Sequence, residues 1–298
     1  MARKYELITK LYRDIQKEVI NPGTWQDFLF SACRSYKLPF DEQLLIFAQR
    51  PDATAVLELE KWNRQFGRWV NKGATGIAVF NKELSERKGL KYYFDISDTH
   101  ESRLSRKVPL WEMEKEYEES VAETLENSFG EISEKESFAG ILMETSKNAV
   151  LDNMEDYLSQ LLEVREDSFL EELDELNVWV RYQNLLENSI GYMLLTRCGI
   201  DAKEHYDNDD FREILEFNTF ETINALGVAT GDISKMCLLE ISKTVLSLEK
   251  DIKNRIVEEK ESIGHSVGKE ERSGEYEKDK MQQSEGLLSS QSSNAEEN

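Results

Sequence analysis

Between residues 20 and 66, apolar positions recur at the spacing of helices, and prolines separate the repeats. The first predicted helix places five side chains on one face: Trp25, Phe28, Leu29, Ala32 and Tyr36. Pro39 ends this helix, and a second is predicted from Phe40 to Gln49, where Pro51 follows. A third helix is predicted from about Thr54 to Phe66, with Gly67 as its left-handed cap.

The following residues change from the helical period to alternation. Two short extended segments, 68–70 and 76–80, flank the turn 71–75 and predict a hairpin. From 90 to 96, alternate residues are predicted to point inward and outward: Leu90, Tyr92, Phe94 and Ile96 against Lys91, Tyr93 and Asp95. This pattern predicts a half-buried strand with a basic and aromatic outer face.

After residue 110 the chain contains no proline, and apolar positions return to helical spacing. Apolar helical stripes are predicted over 154–162 and 233–252. A long helix is predicted from Val178 to Cys198 and a short helix from Phe211 to Phe217. Residues 261–298 carry too little apolar surface to offset ordering entropy, and are predicted to be disordered. The sequence therefore predicts an α+β fold: helices packed on a small antiparallel sheet in 1–110, an acidic all-helical region in 111–260, and a disordered polar tail.

Charge changes at the same boundary. Residues 1–110 have a net charge of +5 and residues 111–298 a net charge of −27, within a total of −22. Such asymmetry predicts two parts with different partners. The acidic side chains are interpreted first as a solvated helix surface. The two alternatives are a DNA mimic that occupies the DNA site of a restriction enzyme, and a scaffold that docks other proteins.

Several classes of protein are not indicated. No apolar run approaches the roughly 18 residues of a membrane helix, and a signal-like segment is lacking, so a cytoplasmic protein without a membrane partner is predicted. Three cysteines lie far apart, as in a reducing compartment: Cys33, Cys198 and Cys237. Neither a phosphate-binding glycine loop nor a two-histidine zinc helix is present, so we expect no catalysis, no metal and no cofactor.

The basic and aromatic residues between 50 and 93 are typical of nucleic-acid binding. Arg and Lys neutralise phosphates, and exposed aromatic rings stack on unpaired bases at about 1–3 kcal/mol per base. Eight residues are predicted to contact nucleic acid: Arg50, Lys61, Arg64, Arg68, Trp69, Lys72, Lys91 and Tyr93. The alternative is an ordinary small α+β domain whose aromatic residues form its core, since an excess of +5 is a weak basic signal.

Several separated motifs in residues 20–100 resemble the N-terminal domain of ArdC-type antirestriction proteins. They are Phe-Asp-Glu-Gln-Leu-Leu-Ile at 40–46, Gln-Arg-Pro at 49–51, Trp62, Val-Asn-Lys-Gly-Ala-Thr-Gly-Ile at 70–77 and Phe-Asp-Ile-Ser-Asp-Thr at 94–99. The same stretch resembles the start of very large proteins of Gram-positive conjugative elements. In those proteins the domain precedes helicase-like and DNA-methylase-like regions.

The resemblance implies a domain that binds single-stranded DNA without sequence specificity during transfer or establishment of a mobile element, with antirestriction as a further role. It implies restriction enzymes and conjugation or helicase proteins as further partners, and a chain that is either a truncated relative or the N-terminal fragment of a larger enzyme. ArdC-type proteins continue into a zinc-protease-like domain with His-Glu-x-x-His. Here His100 and Glu101 are followed by Leu104 at the place of the second histidine. We therefore expect this chain not to be an enzyme.

Overall fold

The computed structural model describes residues 3–81, 89–256 and 258 with their side chains. Residues 2, 257 and 259–292 are described by their backbone alone. The disordered tail predicted for 261–298 thus lies outside the residues whose side chains are described. The chain divides into two compact units, Met1–Leu246 and Ser247–Asn298. The contacts that position the candidate site all lie in the first unit.

Three helices form the N-terminal layer: α1 (Ala2–Glu18), α2 (Pro22–Ala32) and α3 (Phe40–Gln49). α2 begins where the Asn21 side chain accepts hydrogen bonds from two backbone N–H groups, and Pro22 occupies a first-turn position that needs no N–H. The side chains predicted to face inward are all buried: Trp25, Phe28, Leu29, Ala32 and Tyr36. The predicted inner face is confirmed, although the helix itself ends at Ala32.

The third predicted helix begins later than expected. Val56–Glu58 forms strand β1, and helix α4 covers only Leu59–Phe66. The cause is the Asp95 carboxylate, which accepts hydrogen bonds from the backbone N–H groups of Thr54 (2.7 Å) and Ala55 (2.9 Å). These bonds hold the segment extended beside the sheet, so residues 54–58 do not enter the helix.

Two small antiparallel sheets follow. Their other strands are β2 (Arg68–Val70), β3 (Ile77–Phe80), β4 (Leu90–Asp95) and β5 (Thr99–Glu101). β4 lies between β1 and β3 in one sheet, and β2 pairs with β5 in the other. The predicted hairpin of 68–70 with 76–80 is therefore wrong, because its two segments belong to different sheets. The backbone N–H of Asn71 donates to the Asp98 carbonyl at 2.8 Å, which extends the pairing of β2 with β5 beyond the strands.

Strand β4 alternates as predicted but in the opposite phase. Tyr93 and Asp95 are buried, whereas Tyr92 is exposed. The Tyr93 side chain reaches α3, where its hydroxyl donates a 2.7 Å hydrogen bond to Glu42, and Asp95 meets the N–H groups of residues 54–55. Two polar side chains with buried partners thus set the phase of the strand. The predicted outward position of Tyr93 is wrong for this reason.

The remainder of the described chain is helical, as predicted. Its long helices are α5 (Glu118–Phe129), α6 (Phe138–Val164), α7 (Glu175–Arg197) and α8 (Phe220–Ser292). α7 corresponds to the helix predicted over 178–198, while the short helix predicted at 211–217 is a 3-10 helix over Asp209–Glu216. Thr219 and Thr222 exchange side-chain to backbone hydrogen bonds of 3.2 Å at the start of α8. The α+β fold with a following all-α region is confirmed.

The N-terminal layer and the helical region share one core. The indole Nε1 of Trp25 donates a 2.9 Å hydrogen bond to the hydroxyl of Ser189 on α7, and both residues are buried. Where α8 passes the ring of Phe40, the chain has Gly227, and a Cβ there would lie 2.2 Å from the ring. The boundary predicted near residue 110 therefore falls inside the first compact unit.

Candidate nucleic-acid interface

The sheet of β2 and β5 forms a short ribbon with one exposed face. Trp69 of β2 lies directly opposite His100 of β5, so both side chains point to the same side. Trp69 is 54% exposed, and His100 is also exposed. The His100 ring is positioned by Nδ1, which lies 2.7 Å from Oδ1 of Asn71. The ribbon thus presents an indole and an imidazole to solvent.

The opposite face of the ribbon is tied to the protein by Arg68. Its guanidinium donates from Nε to Oγ1 of Thr99 and from Nη1 to Oε1 of Glu101, each at 2.8 Å. Thr99 is buried, and its hydroxyl donates to the Ile96 carbonyl at 2.7 Å. The Arg68 side chain is only 12% exposed, so its donors stabilise the ribbon.

The loop after β5 folds back over the end of α4. The hydroxyls of Ser102 and Ser105 both donate to the Gly67 carbonyl, at 2.6 and 2.9 Å, and the N–H of Arg106 donates to the last carbonyl of α4 at 2.9 Å. Gly67 has a φ of 63°, and a Cβ there would lie 2.8 Å from the Leu104 carbonyl oxygen. Glycine is required by both the conformation and the close approach.

Four exposed cations flank the Trp69–His100 pair: Lys72, Arg103, Arg106 and Lys107. Lys72 follows β2 and the other three follow β5. Because the strands are antiparallel, the cations lie at opposite ends of a ribbon three residues, or about 10 Å, long. Within residues 3–81 and 89–256, none of the four forms an ion pair. Their charges are therefore presented to solvent.

Like Arg68, three further predicted contact residues, Arg50, Lys61 and Arg64, are paired with acids. The pairs are Arg50 with Asp98, Lys61 with Glu58 (2.8 Å) and Arg64 with Glu60 (3.6 Å). Exposed pairs stabilise a fold by only about 0–1 kcal/mol, but each carboxylate also offsets charge that would attract a phosphate. Arg50 lies at the edge of the ribbon, since the Asp98 carbonyl accepts the N–H of Asn71. Lys61 and Arg64 lie on α4.

Lys91 and Tyr93 enclose the buried carboxylate of Glu42. Nζ of Lys91 lies 2.7 Å from Oε1, and the Tyr93 hydroxyl donates to Oε2, also at 2.7 Å. Burial opposes the charge of Lys91, but its bonds to Glu42 and Tyr93 outweigh that effect and keep its pKa above the usual value. Burial and the bond to Glu42 raise the pKa of Tyr93 to about 12. Both side chains thus serve an internal cluster, in contrast to their predicted outward placement.

The structure brings only part of the predicted set together at an exposed surface. Trp69 and Lys72 lie on the ribbon, Arg68 lies beneath it and Arg50 at its edge. The prediction missed four residues beside them: His100, Arg103, Arg106 and Lys107. A signal for the last three was present in Arg-Leu-Ser-Arg-Lys at 103–107, which has three cations in five residues.

The acidic, histidine and cysteine side chains that the structure describes were compared with the requirements of a metal centre and of a reactive thiol. Among the residues that the structure describes, no group of three or more His, Cys, Asp or Glu side chains could hold a metal ion. The cysteines at 33, 198 and 237 are buried, and burial raises the pKa of each thiol to about 12. In the same described part of the chain, no helix combines the length and apolar character needed to cross a membrane.

Comparison with known proteins adds no relative: no family model, no curated protein and no solved structure matches the chain. The features of the chain that bear on its function are the ribbon and the motifs at 40–99.

Proposed function

We propose that this chain binds single-stranded DNA without sequence preference, and that the ribbon of β2 and β5 is the contact surface. The observation that supports the proposal is the exposed Trp69 beside His100, between cations at both ends of the ribbon that form no ion pair with any other described residue. An aromatic ring stacks on any base, because every base has a π-face, and flanking cations neutralise the phosphates on either side.

The arrangement favours binding that does not depend on base sequence. Discrimination between bases requires side chains that reach base edges in fixed geometry, typically a guanidinium with both donors available. The guanidinium within the ribbon, Arg68, donates instead to Thr99 and Glu101. The exposed cations lie in the turn and the loop that flank the strands, where they meet the backbone of a bound strand.

The large negative charge of the whole chain limits the affinity. At physiological ionic strength the Debye length is about 8 Å, so acids on distant helices are largely screened and the ribbon's own cations dominate. If Lys72, Arg103, Arg106 and Lys107 each neutralise one phosphate, the logarithm of the binding constant falls with the logarithm of salt concentration at a slope of about −3.

The biological setting follows from the resemblance of residues 20–100 to ArdC-type domains. In that setting the chain coats incoming single-stranded DNA during transfer or establishment of a mobile element, and so limits its exposure to restriction. The chain acts by binding and has no catalytic role of its own.

The test uses the full chain and a fluorescently labelled oligo(dT), with anisotropy measured over a salt series. Trp69→Ala is expected to weaken binding about tenfold or more, the loss of one stacked base. Phe169→Ala is the matched control, because Phe169 is an aromatic side chain 65% exposed in the segment between α6 and α7.

Lys72→Gln is expected to weaken binding and to reduce the salt slope by about 0.7, which corresponds to one phosphate contact on a single strand. Its control is Lys147→Gln, which removes an exposed cation from α6. Absence of any affinity at low salt contradicts the proposal. It is equally contradicted if Trp69→Ala behaves like Phe169→Ala.

A further inference from the structure

A cavity of about 400 Å³ lies between α4, β1 and the segment that follows Lys107. Its apolar walls include Tyr36, Leu57, Trp62, Phe66, Leu110 and Trp111. The volume falls in the range of about 300–1,000 Å³ that small-molecule sites occupy in proteins. The apolar, aromatic lining is suited to a planar ring.

Two guanidinium groups line this cavity, those of Arg34 and Arg197. Arg34 donates from Nη2 to the Pro51 carbonyl at 2.5 Å, but its buried Nε has no hydrogen-bond partner among the described residues. Arg197 stacks on the Trp111 ring at 3.6 Å and donates from Nη2 to the Trp111 carbonyl at 2.8 Å. No ion pair links Arg34 or Arg197 to any acid in the described chain. Unpaired charge beside apolar walls is stabilised when an anion binds there.

The other charged residues of the lining leave the cavity cationic. Lys37 adds a third positive charge, and Glu112 is the acidic member of the lining. Both are exposed, so they lie toward solvent. The buried part of the lining is thus apolar and positive, which matches a ligand with a flat ring and an anionic group.

The cavity is continuous with the ribbon along the chain. Arg106 is fixed to the end of α4 by its backbone N–H, Lys107 follows, and Val108 is the next residue and lines the cavity. Along the chain, two exposed cations thus separate β5 of the ribbon from the first residue that lines the cavity.

We propose that the cavity binds one nucleotide, with the base against the aromatic and aliphatic walls and the phosphate at Arg34 and Arg197. The inference rests on the proposed function in one respect, since the nucleotide is taken to belong to the bound strand. A free nucleoside monophosphate has the same chemistry and is the other source. The two sources are separated by the choice of probe.

The test measures binding of thymidine monophosphate, of thymidine and of oligo(dT) to the full chain by isothermal titration calorimetry. The monophosphate is expected to bind more tightly than thymidine by about tenfold or more, because the phosphate adds charge-assisted hydrogen bonds. Arg34→Gln removes that gain. Leu110→Glu places a carboxylate at a lining position that is 42% exposed, so folding is preserved while the phosphate is repelled.

Leu176→Glu is the matched control, because Leu176 is 70% exposed on α7 outside the cavity. If Leu110→Glu weakens both monophosphate and oligo(dT) binding, the site holds a nucleotide of the strand. If only monophosphate binding is weakened, or if wild type binds the monophosphate but has no affinity for oligo(dT), the site holds a free nucleotide. In the second case the proposed function fails while this inference stands. This inference is overturned if the monophosphate does not bind and the Leu110→Glu and Leu176→Glu variants have equal affinity for oligo(dT). That outcome does not depend on whether Trp69→Ala supports the ribbon as a contact surface.

Discussion

The Tyr93 hydroxyl donates a 2.7 Å hydrogen bond to Oε2 of Glu42, and both residues are buried. Tyr93→Phe removes this donor and leaves one carboxylate oxygen in the core without that partner. A buried polar group that loses its partner costs about 1–3 kcal/mol, so we expect the free energy of unfolding to fall by that amount. Urea denaturation followed by circular dichroism measures the change.

Tyr92→Phe provides the control on the neighbouring position of the same strand, because Tyr92 is exposed. Its effect on the free energy of unfolding is expected to stay within about 0.5 kcal/mol. Affinity for oligo(dT) is expected to be unchanged in Tyr93→Phe, since the ring is internal. Equal stability losses in the two variants contradict the assignment of the strand's inner face.

Asp95 predicts a pH-dependent stability. Burial alone raises its pKa, but hydrogen bonds from Ser97, Ala55 and Thr54 outweigh burial and hold the pKa below the usual value. A carboxyl with a lowered folded-state pKa contributes stability above its unfolded-state pKa of about 3.9, and loses it as pH falls through the folded-state pKa. Asp95→Asn is therefore expected to cost about 2 kcal/mol near neutral pH, and less as pH falls below about 4.

The measurement is a set of urea denaturations at neutral and acidic pH. Asp52→Asn is the control, because the Asp52 side chain is 82% exposed and its only ion pair within the described residues, with Arg50, is 3.9 Å long. The role given to the Asp95 carboxylate is excluded if the difference in free energy of unfolding between wild type and Asp95→Asn stays constant over this pH range or grows on acidification.

Alanine substitutions at two glycines of α8, Gly227 and Gly231, are predicted to change the stability of the protein in opposite directions. A Cβ on Gly227 would lie 2.2 Å from the Phe40 ring, whereas one on Gly231 would lie 3.7 Å from Oε1 of Gln43, an ordinary contact. Gly231→Ala is expected to stabilise by about 0.5–1 kcal/mol through helix propensity. Gly227→Ala is expected to destabilise by about 1–3 kcal/mol through overpacking. Thermal unfolding measures the stability of the two variants. If both substitutions stabilise the protein, the close packing of α8 on Phe40 is contradicted.

Residues 1–110 are predicted not to fold as an isolated fragment. Truncation removes the Ser189 acceptor of Trp25 and exposes the face of α2 that packs on α7. We expect the fragment to lack a cooperative thermal transition and near-ultraviolet circular dichroism, in contrast to residues 1–246. A cooperative transition in the fragment shows instead that the boundary predicted near residue 110 separates autonomous domains.

The helices were predictable where long periodic stretches met prolines or polar caps. α3 and α7 follow this rule, because the adjacent residues indicate both the inward stripe and the helix ends. For α2 the inward stripe was predictable, but the helix ends at Ala32, before Pro39. The extended segments at 68–70, 76–80 and 90–96 were predictable too, but their pairing and phase were not, because their partners lie outside the local sequence. β2 pairs with β5 across about thirty residues, and the phase of β4 depends on Glu42 of α3 and on the N–H groups that Asp95 accepts.

The candidate site was predicted in part for the same reason. Trp69 and Lys72 were found because they lie in a short turn-rich segment whose composition is itself informative. His100 was missed because its position opposite Trp69 follows from the strand pairing alone. Arg50 and Lys91 are of residue types that are common in nucleic-acid sites. Their acidic partners, Asp98 and Glu42, lie in other elements, so the local sequence did not reveal these ion pairs.

The hydrogen bond from Trp25 to Ser189 has a consequence for synthesis on the ribosome. The two residues are separated by 164 positions, so the indole cannot reach its partner until most of the first unit has been translated. At about 5–20 residues per second, the delay is on the order of ten to thirty seconds. During that interval the face of α2 that packs on α7 lacks its partner, and exposed apolar surface of this kind on a nascent chain favours aggregation and chaperone binding.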